Sequence, residues 1–529
     1  MPAAACIFFF FAGLAFLPHL GIENDEALFA TAFYKPGTSE EYVIRLSHSR
    51  LPLMLINYLG TLKSWIYRPL FRLWGTSVAS IRIPVLLAGV TSLWLFYLLL
   101  RRVAGKRAAL VGCGLLATDS TYLLTTCFDW GPVALQHLLL IGGAFSLVLF
   151  WQEGKQAALA AGFFLFGLAL WDKAVAFWML SGLAVASAVI LPRQILDRVT
   201  VRRLGIAILA LVLGALPLIA YNLRSGWGTL HGTAKFDASD LKGKARALEG
   251  VLRGEGLLGW MIAEDWQSSH QQTPRSTLER ASIALAGATG KPRRNLFFYA
   301  FCAALLLATL ARGAALRAIL FALITMTTAW FEMALTAGAG GGVHHIVLLW
   351  PLPQVIVAIS FAAVCDRLGR AARPVLACVS VLVILSGLAV LNQQYAQLVR
   401  NGGAIAWTDA VFPLTESLES SGARSVFCLD WGFLDAVRVL SSGVLPVRVG
   451  SEQLSKPEWA AEDRSALKEM ISNPENIFVA HTREFEYYSG LSARLLNFAR
   501  GAGYERATVS FIADSHGRTT FEIYRFRGP

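Results

Sequence analysis

The sequence predicts a mostly α, polytopic membrane fold of about eleven spans, followed by a small α/β domain. Three observations predict it. Of 529 residues, 55% are hydrophobic and only 16% charged, where soluble domains carry about 25% charged residues. Eleven apolar segments have the length, about 20 residues or slightly less, that a helix needs to cross hydrocarbon. After residue 392 the apolar runs stop, and short strand-like stretches alternate with helical ones.

The spans are expected near 3–19, 78–100, 108–125, 131–151, 157–171, 174–191, 204–222, 295–311, 317–335, 343–364 and 374–391. The first lacks the basic start and small-residue cleavage site of a signal peptide, so it reads as an uncleaved span. Asp119 interrupts the third.

Loop charge orients these spans. The net charge of +12 would suggest nucleic acid in a soluble protein. Here the basic residues fall in one alternating set of loops: Arg101, Arg102, Lys106 and Arg107; Arg193, Arg198, Arg202 and Arg203; Arg312 and Arg317; Arg367, Arg370 and Arg373. The positive-inside rule makes this set cytoplasmic and removes the need for a polyanion partner. The opposite set holds nearly every polar residue of interest: the loop at Asp25, the turns at Asp129 and Lys173, the long loop 223–294, the turn before His344, and the tail. The N-terminus is then inside and the C-terminal domain outside. Seven scattered cysteines show neither a disulfide framework nor zinc spacing.

Within the first outer loop, 20–77, the stretch 52–75 is apolar yet carries Lys63, Arg68 and Arg72 beside Trp65, Tyr67 and Trp74. It reads as one or two helices lying in the membrane plane. In the tail, strands are expected at 425–429, 476–480, 507–512 and 519–526, the last two joined by a hairpin at Asp514-Ser515-His516-Gly517-Arg518. Domains are therefore expected at 1–392 and 393–529.

The first span runs directly into Asn24-Asp25-Glu26-Ala27. A carboxylate costs about 2.5–3.5 kcal/mol at the centre of a membrane helix and less near its end. That cost favours chemistry or binding for Asp25 and Glu26 over simple solvation of a helix end. Further motifs lie on the same side: Ser47-His48-Ser49-Arg50-Leu51-Pro52, Gly75-Thr76-Ser77 running to Ile81-Arg82-Ile83-Pro84, Cys127-Phe128-Asp129, Leu170-Trp171-Asp172-Lys173, and His344-His345 leading to Trp350-Pro351-Leu352-Pro353.

In their order, spacing and common side these motifs resemble the GT-C membrane glycosyltransferases, in the branch of protein O-mannosyltransferases and bacterial aminoarabinose–lipid A transferases. The resemblance covers roughly the first 370 residues. It implies an inverting transfer of a sugar from a polyprenyl phosphate to an acceptor hydroxyl on lipid, glycan or protein, at the extracytoplasmic face of a bacterial inner or plasma membrane. It implies Asp25 as general base, Glu26 beside it to substitute or to orient the acceptor, and Asp129 as a further carboxylate in the cavity. His48, Arg50, Lys173, His344 and His345 are the expected donor-binding residues.

Simpler readings stand beside these. Asp129 equally suits a helix cap, and Arg50 and Lys173 equally suit snorkelling to headgroups. Gln136 and His137 suit hydrogen bonds between helices. A divalent metal is compatible with carboxylate and histidine, though no ligand spacing supports one, and no other cofactor is expected. The turn at Gly338–Gly342 lacks the strand and Lys-Ser/Thr of a phosphate loop. Asp430-Trp431-Gly432 either touches acceptor or caps a strand-to-helix turn. Trp227, Trp260, Glu264, Asp265, Trp266 and His270 in the long loop suit sugar binding or membrane-surface packing. Two rival classes remain: a secondary transporter, which should show internal repeats where none is visible, and a non-catalytic binder of lipid-linked sugar.

Overall fold

The computed structural model describes residues 2–34, 42–46, 49–131, 133–268 and 270–528. Helices dominate, and the expected spans fall on helical segments, with 78–100 and 108–125 on the two arms of one element and 343–364 broken before Leu352. Pro2–Phe16 carries no charged side chain. Val78–Ala117 breaks at Gly105, whose φ of 84° leaves the helical region, and the two arms fold against each other. A Cβ added at Gly112 would sit 2.6 Å from Leu100 Cδ2. The second arm stops at Thr118 and resumes as Ser120–Cys127, capped by Asp119, which accepts from Tyr122 N at 2.8 Å. The other Asp119 oxygen accepts from Trp350 Nε1 and Gln354 Nε2 at 2.8 and 3.1 Å. These bonds are how a carboxylate is tolerated in an apolar segment.

Val133–Glu153, Gln156–Asp172, Ala176–Ile190, Val201–Ser225, Phe297–Leu307, Gly313–Ala334, Leu352–Leu368 and Ala372–Asn401 complete the bundle. Where helices cross closely, glycine makes room: a Cβ on Gly167 would lie 2.3 Å from Leu211 O, and one on Gly214 2.4 Å from Phe164 O. Small residues at such crossings let membrane helices approach. Gln136 and His137 bond between helices, to Asp172 and to Val347 O respectively.

By length and composition, seven helices among the described residues are long and apolar enough to cross a membrane, eight if the bent pair Ala176–Ile190 and Pro192–Arg198 counts as one span. That is an integral membrane protein. The expected eleven crossings are not reached on this measure, because Gln156–Asp172 and Phe297–Leu310 are short and the two arms of Val78–Ala117 count once. The loops read as cytoplasmic do meet at one end. Arg102 pairs with Glu153 at 2.8 Å and Arg107 with Asp366 at 2.5 Å. Arg198 donates to Trp151 O, and Arg367 to Leu310 O.

The loop 20–77 departs from expectation. Of the stretch 52–75 expected to be helical, only Leu62–Trp74 is helix. The first half belongs to a three-stranded antiparallel sheet, β1 (Tyr42–Leu46), β2 (Ser49–Ile56) and β3 (Leu59–Gly60). Pro52 has no amide hydrogen for a helix, and its carbonyl is taken by Thr61 Oγ1 and Trp65 Nε1 at 2.8 and 2.9 Å.

In the C-terminal part, β4 (Ser425–Cys428), β5 (Val447–Val449), β6 (Asn476–His481), β7 (Glu505–Ala513) and β8 (Thr519–Arg527) form one sheet in the order β5-β4-β6-β8-β7. β4 runs parallel to β5 and β6, while β8 is antiparallel to β6 and β7. β6 is buried along its whole length, as its apolar run Ile477-Phe478-Val479-Ala480 requires. All four expected strands are present. The boundary expected at 392 falls inside the helix Ala372–Asn401.

Candidate active site

The loop leaving the first helix is fixed before any chemistry can be considered. Arg82, fully buried, donates through Nη1 to Leu17 O and Leu20 O and through Nη2 to Gly21 O, at 2.7–2.9 Å. Its guanidinium also lies 4.6 Å from the Phe128 ring centroid. Gly21 N donates to Trp407 O at 3.0 Å, and a Cβ on Gly21 would fall 1.9 Å from Thr408 O, so only glycine fits there. The loop then turns into a short helix, Asn24–Leu28, capped by Glu23, which accepts from the amides of Asp25 and Glu26.

The three predicted carboxylates have different fates. Glu26 is fully buried, with its oxygens engaged by Arg82 Nε and Nη2 at 2.7 and 2.8 Å. Asp129, also fully buried, forms an ion pair with Lys63 Nζ at 2.6 Å and accepts from Ala134 N at 3.0 Å. It thereby caps Val133–Glu153, from a left-handed backbone conformation at φ 44°. Asp25 is partly exposed, and among the described residues its carboxylate has no hydrogen-bond or ion-pair partner. Burial raises the Asp25 carboxyl above its ordinary value, and the charge of Lys173 opposes that rise. Burial and then the Asp25 charge push Glu23 well above the usual carboxylate range. Of the two, Asp25 is the partly exposed member and Glu23 is buried.

Lys173 sits on the turn after Gln156–Asp172, held because Ala174 N donates to Tyr58 O and Trp171 Nε1 to Leu53 O. Its Nζ donates to Gly131 O at 3.3 Å. The position a Cβ would take on Gly131 is 3.2 Å from Lys173 Nζ and 3.3 Å from His344 Cδ2, so the three residues share one small volume. Burial lowers the Lys173 pKa, while the charges of Asp25, Asp172 and Asp129 raise it. His344 packs against Trp130 at 4.8 Å and against His345 at 4.1 Å between ring centroids. The Nδ1 atoms of both histidines are buried and have no hydrogen-bond partner among the described residues.

The structure thus brings together Asp25, Glu26, Asp129, Lys173, His344 and His345, from stretches more than 300 residues apart. Arg50 lies on β2 with its Cα paired to that of Arg45. His48 lies outside the described residues. Two site residues escaped the sequence reading. Lys63 was seen only as an argument against a span, and Arg82 only as part of a motif. An arginine in the first turns of an apolar helix is the signal for a buried carboxylate partner. Among the described residues, no three His, Cys, Asp or Glu side chains are arranged to hold a metal ion.

The C-terminal part docks on the short helix that carries Asp25. Asp435 N donates to Asn24 Oδ1 at 3.2 Å. Burial raises the Asp435 carboxyl, Arg438 opposes, and the Asp25 charge adds to the rise.

Residues 61–220 match the family described as Dolichyl-phosphate-mannose-protein mannosyltransferase. No curated protein matches the sequence. Among solved structures, the chain is similar to ArnT from Cupriavidus metallidurans in the apo state, with a TM-score of 0.57 at 14% identity over 98% of this chain and 96% of that one. ArnT bound to undecaprenyl phosphate gives 0.54 at 13% over the same shares. The oligosaccharyltransferase AglB from Archaeoglobus fulgidus, in complex with an inhibitory peptide and a dolichol-phosphate, gives 0.52 at 13%, over 100% of this chain and 74% of that one. At these identities the likeness is one of fold, and the fold is GT-C.

Proposed function

We propose that this protein is a polyprenyl-phosphate-dependent glycosyltransferase that moves a sugar to an acceptor hydroxyl with inversion. The observation that carries the reading is the contrast among its carboxylates. Glu26 and Asp129 are held by Arg82 and Lys63, whereas Asp25 is partly exposed and faces the charge of Lys173. A general base needs a carboxylate that can reach a substrate hydroxyl, and an anionic leaving group needs a cation within the same enclosure. The bound lipid phosphates of the ArnT and AglB structures support this donor class.

In the proposed reaction the acceptor hydroxyl gives its proton to Asp25. Its oxygen forms a bond to the sugar's anomeric carbon as the bond from that carbon to the phosphate oxygen breaks. The electron pair leaves with the polyprenyl phosphate, whose charge Lys173 stabilises. His344 and His345, whose buried Nδ1 atoms have no hydrogen-bond partner among the described residues, orient the phosphate or the sugar, and Arg50 and His48 are the remaining proposed donor-binding residues. Glu26 acts through Arg82 as a positioning residue for the loop that carries Asp25. Asp129, paired with Lys63, shapes the floor.

The proposed site opens on the extracytoplasmic face of a bacterial inner or plasma membrane, with 1–392 as the transferase domain and 393–529 as an outer domain. The acceptor is a lipid, glycan or protein hydroxyl. Mass spectrometry of membrane lipids from a strain lacking the protein tests the assignment. One polyprenyl-phosphate sugar should accumulate, and an unchanged lipid pool contradicts it.

A further inference from the structure

Outside the transfer site, one group of exposed aromatics is held with unusual care. Asp430 and Trp431 follow β4, and Tyr487 and Tyr488 lie shortly after β6, so all four gather where two parallel strands end. The Asp430 carboxylate is buried. It accepts from Trp431 N, Tyr487 N and Tyr488 N at 2.7–2.9 Å and binds His481 Nδ1 at 2.8 Å. Burial alone would raise this carboxyl, but the His481 hydrogen bond and charge, with the tyrosine amides, outweigh it and hold Asp430 below the usual range. The ring of Trp431 packs 4.7 Å from that of Tyr487, and Tyr487 lies 5.4 Å from Tyr488.

Despite this anchoring the group reaches the surface: Tyr487 is 60% exposed and Tyr488 45%, with Trp431 half-buried behind them. Glu484, three residues before Tyr487 in the chain, is exposed as well. A buried carboxylate is therefore used to fix the backbone beneath side chains that bury little themselves. Rings immobilised in advance bind at a lower entropic cost, and crevices beyond the carboxyl ends of parallel strands are where ligands of such sheets bind.

From this geometry we propose that Trp431, Tyr487 and Tyr488 form a saccharide-binding platform that stacks on pyranose rings of the acceptor. Aromatic faces match the C–H faces of a sugar, and Glu484 offers a hydrogen-bond acceptor to its hydroxyls. The platform is coupled in space to the transfer site, because the helix Leu434–Leu440 that follows Trp431 docks on Asn24. It holds the acceptor several residues away from the hydroxyl that reacts. The inference rests on the reading of Asp25 as the transfer centre, but its test does not require turnover.

The full-length protein in detergent is applied to a printed array of neutral oligosaccharides, and separately to vesicles of phosphatidylglycerol. Wild type should be retained on at least one glycan. Trp431→Ala with Tyr487→Ala should lower that retention at least tenfold, with the single Tyr487→Ala intermediate, at unchanged thermal unfolding. Asp25→Asn should keep it. No retention of wild type, retention unaffected by the double substitution, or vesicle binding that the double substitution abolishes overturns the platform. A transfer-dead Asp25→Asn that keeps its glycan separates the two proposals. A fully active Asp25→Asn sinks the transfer assignment and leaves the array result standing.

Discussion

Glu26 and Arg82 form a fully buried two-point ion pair, with Nε–Oε1 at 2.7 Å and Nη2–Oε2 at 2.8 Å, and the same guanidinium collects three carbonyls from the loop that precedes Glu26. The pair ties the exit of the first helix to the entrance of the second long one, and Lys63 Nζ adds a bond to Glu26 O at 3.2 Å.

Removing one partner leaves the other charge buried and uncompensated, which costs about 3–5 kcal/mol. Glu26→Gln should therefore lower the unfolding temperature and yield in detergent, and a Glu26→Leu, Arg82→Met double variant should be less unstable than Arg82→Met alone. An unchanged unfolding temperature for Glu26→Gln would assign Glu26 to the reaction rather than to the scaffold.

Lys63 and Asp129 allow the two readings of Asp129 to be separated. Asp129→Asn keeps an acceptor for Ala134 N but strands the Lys63 charge in a site where both side chains are almost wholly buried. Fold and transfer should both suffer. Pairing it with Lys63→Met should restore the unfolding temperature. Recovered transfer in the double variant makes Asp129 structural, as proposed here; continued loss at full stability makes it part of the chemistry.

The pH profile of transfer carries a sign. Asp25 works as a base only when ionised, so kcat/KM falls as pH drops through its pKa. Burial places that pKa above the ordinary aspartate value of about 3.9, and the acidic limb should lie correspondingly high. Lys173 opposes the rise. Lys173→Gln should therefore move the limb to still higher pH, besides slowing transfer. A limb that stays in place shows that Lys173 does not face the base.

Much of this was legible in the sequence, and the exceptions have physical causes. Spans follow from composition, and the basic loops followed from charge to one common end, where Arg102, Arg107 and Arg367 are found. Asp25, Lys173 and His344 stood out as candidates because polar residues beside hydrocarbon are expensive and therefore few. Lys63 and Arg82 were missed as site residues because a buried ion pair is a tertiary fact: neither residue reveals its carboxylate across 66 or 56 positions of sequence. The stretch 52–56 was read as helix because its composition is apolar, while Pro52 and the opposing strand Tyr42–Leu46 decide for β structure.

Orientation is tested by fusions. Reporters placed after Arg203 and after Asn392 should report opposite compartments, cytoplasmic and outer respectively. The same compartment for both overturns the arrangement that puts Asp25 outside.

The most direct measurement is transfer by Asp25→Asn in a reconstituted membrane supplied with the polyprenyl-phosphate sugar that accumulates in the deletion strain. Asparagine keeps the size of the side chain and removes its basicity, so transfer should fall by about 10²–10⁴-fold while the lipid phosphate still binds. Turnover at the wild-type rate would contradict the account.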